Sequence, residues 1–217
     1  MKNTILILSL ISIISCKKQE VKDAQNTSND SLTTQKVSGD VKDTTGKTID
    51  DIKKEYSETS ALLASKKLDS THFNYVCEDG MSGDVIFYYQ DKNLKAVKNI
   101  YSEYSHFSSV TEYYVDKENV YFILKQDTSW NFDINAPKKA DGNAETKDDI
   151  TESRIYLANS KPIQCLEKKY SIRSAGNNPD PNKIENKEVK CDISKLMTTY
   201  ESIIKNKDKK GKVNQCL

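Results

Sequence analysis

Short runs of β-branched and aromatic residues, broken by brief polar links, fill the middle of this chain and restrict what it can become. Phe73-Asn74-Tyr75-Val76-Cys77 alternates, and Gly80 to Gly83 interrupts it. Val85 to Tyr89 follows, then a turn at Asp91-Lys92-Asn93, then Leu94 to Tyr101 and Phe107 to Val115. Asp116-Lys117-Glu118-Asn119 links on to Val120-Tyr121-Phe122-Ile123-Leu124. Arg154 to Leu157 and Ile163 to Leu166 form a last hairpin around Asn159-Ser160. Such residues at hairpin spacing predict an antiparallel β-sheet meander of about six to seven strands. Several of these strands are apolar on both faces, so each face needs cover.

Two segments can supply that cover. Thr48-Ile49-Asp50-Asp51 reads as a helix cap followed by an acidic first turn, and Ile49, Ile52, Tyr56, Leu62 and Leu63 recur at roughly helical spacing, so a helix is expected from about 48 to 66. Near the C-terminus Ile193, Leu196, Met197, Tyr200, Ile203 and Ile204 make one apolar stripe with Lys and Glu opposite, and Asp192 is a natural N-cap. The fold class is therefore α+β, a meander covered by an N-terminal and a C-terminal helix. Two polar stretches, Asp133 to Ile150 and Ser174 to Lys190, carry charges, Pro and Gly with no aromatic residue, and read as solvent loops or disorder. No internal repeat of fixed period is visible.

The N-terminus supplies an address. Met1-Lys2-Asn3 precedes an Ile, Leu and Ser run that stops at Cys16, with Lys17-Lys18-Gln19-Glu20 beyond it: a positive start, a short apolar stretch and a small residue before a cut. About 12 residues of helix reach only about 18 Å, against a hydrocarbon core of about 30 Å, so this is a secretory signal rather than an anchor. Ile13-Ile14-Ser15-Cys16 resembles the bacterial lipobox. The resemblance implies a diacylglyceryl thioether on Cys16, removal of residues 1–15, and attachment to the membrane through lipid, since two or three acyl chains hold a protein where one does not. The Lys-, Asn-, Ile- and Tyr-rich style is similar to lipoproteins of Bacteroidota, and the residue after Cys16 is not Asp. Together these imply the outer membrane, facing periplasm or cell surface.

Lys17 to about Lys47 is polar almost throughout and cannot bury enough surface to offset its ordering entropy. Residues 16–47 are expected to form a disordered tether with an r.m.s. span of about 30 Å, and residues 48–217 a single domain. The chain has 33 basic and 32 acidic residues, and loss of Lys2 with the signal leaves the mature chain balanced. A nucleic-acid binder would carry a basic surplus or patch.

With Cys16 lipidated, Cys77, Cys165, Cys191 and Cys216 remain, an even number in an oxidising compartment, which reads as two disulfides with three possible pairings. The preferred pairing joins Cys77 to Cys165, an early strand to the last hairpin, and Cys191 to Cys216 across the C-terminal helix. A helix of about 15 residues is about 22 Å long and the ~10 residues after it extend about 33 Å, so that return is possible in length. No spacing is a C-x-x-C knuckle, so no metal site is implied.

The chain carries no G-x-S-x-G, H-E-x-x-H, P-loop or dinucleotide fingerprint, and no cofactor is implied. His72 lies at a strand start and His106 in a polar turn, both as surface or edge residues. Asp141-Gly142-Asn143-Ala144-Glu145 lacks the ligand alternation of a calcium hand. The aromatic residues Tyr88, Tyr89, Tyr113, Tyr114, Tyr121 and Trp130 could form a binding face, because Tyr and Trp suit interfaces; adjacent tyrosines on a strand must point to opposite faces.

Tyr75-Val76-Cys77-Glu78-Asp79-Gly80 before a β-run resembles the start of the small lipoprotein inhibitors of c-type lysozyme. That family pairs its early Tyr-x-Cys cysteine with one near the C-terminus, which here implies Cys77 with Cys216. The resemblance covers about ten residues, and the family's Ser-Gly-x-x-Tyr inhibitory loop is not present. The expectation is thus a lipid-anchored envelope protein, a non-catalytic binding or structural module with an unknown protein or glycan partner. The alternatives are an inhibitor of a lysozyme-like hydrolase and an enzyme with no recognisable motif.

Overall fold

The structure is a computed structural model that describes residues 46–77, 80–209 and 211–217. The chain divides into two units, Met1–Lys42 and Asp43–Leu217, and all described residues belong to the second. The signal, Cys16 and nearly all of the expected tether lie outside the described residues.

Helix α1 (Ile49–Ala64) opens the domain through a capping box: the Thr48 hydroxyl accepts from the Asp51 amide at 3.2 Å, and the Asp51 carboxylate accepts from the Thr48 amide at 3.0 Å. Seven long strands follow: β1 (Asp69–Val76), β2 (Met81–Gln90), β3 (Asn93–Glu103), β4 (Phe107–Asp116), β5 (Asn119–Phe132), β6 (Thr146–Ala158) and β7 (Lys161–Arg173). After a 3-10 turn at Pro181–Lys183 come β8 (Lys187–Glu188), helix α2 (Ser194–Lys205) and β9 (Lys212–Val213). The sheet has nine strands in the order β8-β7-β6-β5-β4-β3-β2-β1-β9, antiparallel except where β9 lies parallel to β1. The seven expected strands are β1 to β7; the two additional ones are two-residue pairings on the sheet edges, too short to leave a periodicity.

Three hairpins are built alike. Asp91-Lys92, Lys117-Glu118 and Asn159-Ser160 hold φ between 47° and 71°, the left-handed pairs of tight two-residue turns. In each, the register slips just after a tyrosine, at Tyr88/Tyr89, Tyr114/Val115 and Tyr156/Leu157. The repeated unit recurs at unequal separations, which is why no fixed period shows in the sequence.

Alternation then sends two aromatic rows to opposite faces. Tyr88, Ala96, Tyr114, Phe122 and Tyr156 are cross-strand neighbours on one face. There α1 lays down Ile52, wholly buried, and Tyr56, whose ring centroid is 4.9 Å from Tyr114 and 4.8 Å from Phe122. Phe87, Val97, Tyr113, Ile123, Ile155 and Cys165 line the other face, where the expected α2 stripe packs and Tyr200 sits 5.0 Å from Tyr113. The Tyr113 hydroxyl donates to the Leu196 carbonyl at 3.0 Å. Asp192 is not the N-cap of α2: that position is Ile193, and the Asp192 carboxylate accepts from the Ser194 amide one step away.

The helices do not cover the whole sheet. Beyond Leu124, β5 contributes nothing to either apolar cluster, and its 14 residues span about 46 Å against about 18 Å for α2. β5, β6 and β7 also run well past their expected bounds, and β6 takes Thr146 to Ile150 from the expected loop. Polar pairs hold these outer halves. Lys168, nearly fully buried, reaches Glu152 at 3.3 Å and donates to the Pro181 carbonyl at 2.9 Å; Arg154 meets Glu152 at 2.8 Å; Ser171 donates to Asp149 at 2.6 Å. Strands paired through charge rather than hydrocarbon leave little hydropathy signal.

Among the described residues there are two disulfides, Cys77–Cys216 and Cys165–Cys191, with Cα separations of 4.8 and 6.1 Å. This corrects the expected pairing of Cys77 with Cys165 and Cys191 with Cys216. Five strands separate β1 from β7, a gap of about 29 Å at ordinary strand spacing, whereas bridged Cα atoms lie within about 7 Å. The Cys77–Cys216 link is the one implied by the inhibitor resemblance. No helix among the described residues is long and apolar enough to cross a membrane.

Candidate functional site

A meander sends alternate turns to opposite ends. The chain enters at the end bearing the three tight hairpin turns. Gly46 lies beside Ala158 and Asn159, and Lys47 sits 4.5 Å from the Tyr121 ring centroid while pairing with Glu55 and, at 2.8 Å, with Asp116. The β3–β4 turn and the 133–145 loop lie at the other end, as does the start of the 174–186 connection.

That far end carries an aromatic shelf. The β4–β5 ladder runs one residue past Phe107: the Trp130 amide donates to the His106 carbonyl at 2.8 Å, and the rings of the two residues sit 5.0 Å apart. Trp130 and Phe132 alternate with Asn131, so both rings leave the sheet on one face, 5.0 Å apart and edge to face. Asp148 and Thr146 are their cross-strand partners on β6. Phe132 is 57% exposed, and at this end Tyr104 is 66% and Ile134 89% exposed.

The loop after Phe132 is pinned at its root. Asp133 is buried, accepts from Arg173 Nε at 3.1 Å and from the Asn135 amide at 3.3 Å, and donates its own amide to the Glu145 carbonyl. Ile134 is thereby turned outward. Large apolar side chains held in water by a braced backbone are what interaction sites look like.

The aromatic residues singled out in the sequence divide between core and surface. Tyr113, Tyr114 and Tyr121 are core residues, so they form no exposed face. Tyr113 and Tyr114 point oppositely, as alternation requires, yet both are buried because each face of the sheet has a helix at that point. Tyr88 and Tyr89 are half-buried against the two clusters. Trp130 alone of the six stands on the shelf. Sequence reasoning does not single out Phe132, Tyr104 or Ile134; the available signal is the Trp-Asn-Phe alternation following the polar run Lys125 to Ser129.

Burial pushes the Tyr113, Tyr114 and Tyr121 hydroxyls far above the ordinary range, and those of Tyr75 and Tyr200 up to about 12, so all five are neutral near pH 7. Asp141 is occupied by Asn143, whose amide and side chain donate at 2.9 and 2.8 Å, and Glu145 by Ser174. Among the described residues no three of His, Cys, Asp and Glu converge as a metal-holding group.

Fold and site together define an open antiparallel meander with a helix on each face at one end and an aromatic shelf at the other. Compared with family models, curated proteins and solved structures, the chain matches none. Its geometry therefore stands by itself, in a fold that matches no named family.

Proposed function

We propose that this chain is a lipid-anchored binding module of the cell envelope, held by acyl chains on Cys16 and presenting its aromatic shelf to a glycan or protein partner. One relationship carries the reading: the polypeptide enters the domain at one end of the sheet, and Trp130, Phe132, Tyr104 and Ile134 lie at the other, the last three exposed. The long strands between those ends set them roughly 40 Å apart. The aromatic residues thus stand clear of the point at which the polypeptide enters the domain. Aromatic side chains give large contact area at low entropy cost, the usual make-up of an interface centre.

The test uses Trp130, the chain's single tryptophan. The full chain is titrated with peptidoglycan fragments, envelope glycans and lysozyme while its fluorescence is followed. A saturable change that disappears in the double variant Tyr104→Ala/Phe132→Ala supports the reading; binding that is indifferent to those substitutions refutes it. The address is checked separately, by mass spectrometry of the native N-terminus for acyl groups on Cys16.

A second reading, inhibition of a lysozyme-like hydrolase, is favoured by the Cys77–Cys216 bridge. Residual lysozyme activity in the same titrations decides it.

A further inference from the structure

We propose that the cleft between the C-terminal half of α2 and the ends of the β2–β3 and β4–β5 hairpins binds a single-chain amphiphilic anion, an acyl chain ending in an acidic head group. The cleft is at the chain-entry end, away from the aromatic shelf, and the inference does not depend on the function proposed for that shelf.

The cleft has a volume of ≈ 840 Å³, within the roughly 300–1,000 Å³ range of small-molecule sites. Its floor is apolar. Tyr89 and Leu94 are cross-strand partners, and Tyr200 and Ile204 stand one turn apart on α2. Tyr89, Leu94 and Ile204 are only partly buried, so the floor is accessible from the cleft.

Its rim is basic. Lys92 and Lys95 come from the first hairpin, Lys117 from the second, and Lys205 and Lys207 from the end of α2, against Asp116, Glu118 and Glu201. Asp116 is paired with Lys47 from outside the cleft and also feels the charges of Lys95 and Lys117 on the rim. None of the five rim lysines closes an ion pair with another described residue. Lysines scattered over a surface are ordinarily solvated and signify little. These converge from three separate segments on one apolar floor, in a chain whose net charge is only +1.

The backbone aims them. Lys92 and Lys117 sit in tight turns with φ of 67° and 47°. Lys95 is the extra residue of the bulge: Tyr88 pairs with Ala96 and Tyr89 with Leu94, and Lys95 is left between. Bulges re-aim side chains and are over-represented beside sites. An apolar floor with a cationic rim matches a ligand with one apolar tail and one anionic head, the tail displacing water and the head meeting the rim ammonium groups.

The test is calorimetric titration of the full chain carrying Cys16→Ser, so that no protein-borne acyl chain competes, with palmitate below its micelle concentration. Saturable 1:1 binding is expected. It should weaken at least tenfold in Lys92→Glu/Lys95→Glu, placed in a turn and a bulge outside the core, and also in Ile204→Trp, which fills the floor. Circular dichroism confirms that both variants are folded. Acetate and a cationic surfactant of the same chain length should not compete. The proposal is overturned by absence of palmitate binding, by binding unchanged in the lysine variant, by equal competition from acetate or the cationic surfactant, or by binding confined to anionic vesicles.

Discussion

Cys77 and Cys216 are bridged across 139 residues, which ties the end of β1 to the irregular segment after β9 and clamps β9 against the sheet edge. The second bridge closes a loop of only 26 residues between β7 and the approach to α2. Constraining the unfolded chain contributes about 5 kcal/mol for the long loop and about 3.5 kcal/mol for the short one. Cys77→Ser/Cys216→Ser should therefore lower the melting temperature more than Cys165→Ser/Cys191→Ser. Peptide mapping without reductant should recover 77 linked to 216 and 165 linked to 191; a 77–165 peptide would refute this strand order.

Alkali should unfold this protein through its tyrosines. Burial raises the Tyr75 and Tyr200 hydroxyls to about 12, from about 10 in the unfolded chain, and raises Tyr113, Tyr114 and Tyr121 further. A raised acid favours the folded state while it stays protonated. That stability is complete below pH ~10 and is lost as pH climbs toward ~12, where the unfolded chain releases protons that the folded one retains. Tyrosinate absorbance and circular dichroism should change together in that window. Ionisation of all 12 tyrosines near pH ~10 with the sheet intact would contradict the burial.

Gly83 faces Tyr75 across the β1–β2 ladder, and a Cβ there would run into the Tyr75 ring and the Ile100 carbonyl. Gly83→Ala should destabilise by about 1–3 kcal/mol in urea titration. It should also disturb the 3.0 Å bond from the Tyr75 hydroxyl to Asn99. Gly142→Ala, with open space around it but a φ of 85°, supplies the contrast of backbone strain without collision.

Lys168 holds the 174–186 connection down by its bond to the Pro181 carbonyl. Lys168→Met keeps the buried stem and removes the ammonium. The expected cost is about 1–3 kcal/mol, moderated because Arg154 still meets Glu152. Hydrogen exchange should quicken around residues 180–186 and stay unchanged in α1.

Trp130→Ala should cost little stability, because no helix-covered cluster includes it. In the unmodified chain an aqueous quencher should reach Trp130, which is only partly buried. Inaccessibility to quencher would remove the shelf as a binding surface.

Much of the fold was legible because it rests on local chemistry. Thr48 and Asp51 carry their capping box within four residues, and Asp91-Lys92 or Asn159-Ser160 mark turns between strands that alternate visibly. The α2 stripe from Ile193 to Ile204 is likewise a property of one segment. The outer halves of β5 to β7 were not legible, because residues such as Glu152 and Lys168 look like solvated charges until the neighbouring strand is in place.

The order of residues by itself determined the central parts of the seven long strands and the two helices, which side chains there share a face, and that four cysteines are available to pair. It did not determine which cysteines meet, that Tyr113 and Tyr114 are both buried, or that Trp130, Phe132 and Ile134 share one end of the sheet. Those depend on which strands become neighbours and on where the two helices come to rest. Periodicity records the direction of a side chain relative to its own backbone; burial and partnership are set by what a distant part of the chain brings opposite it.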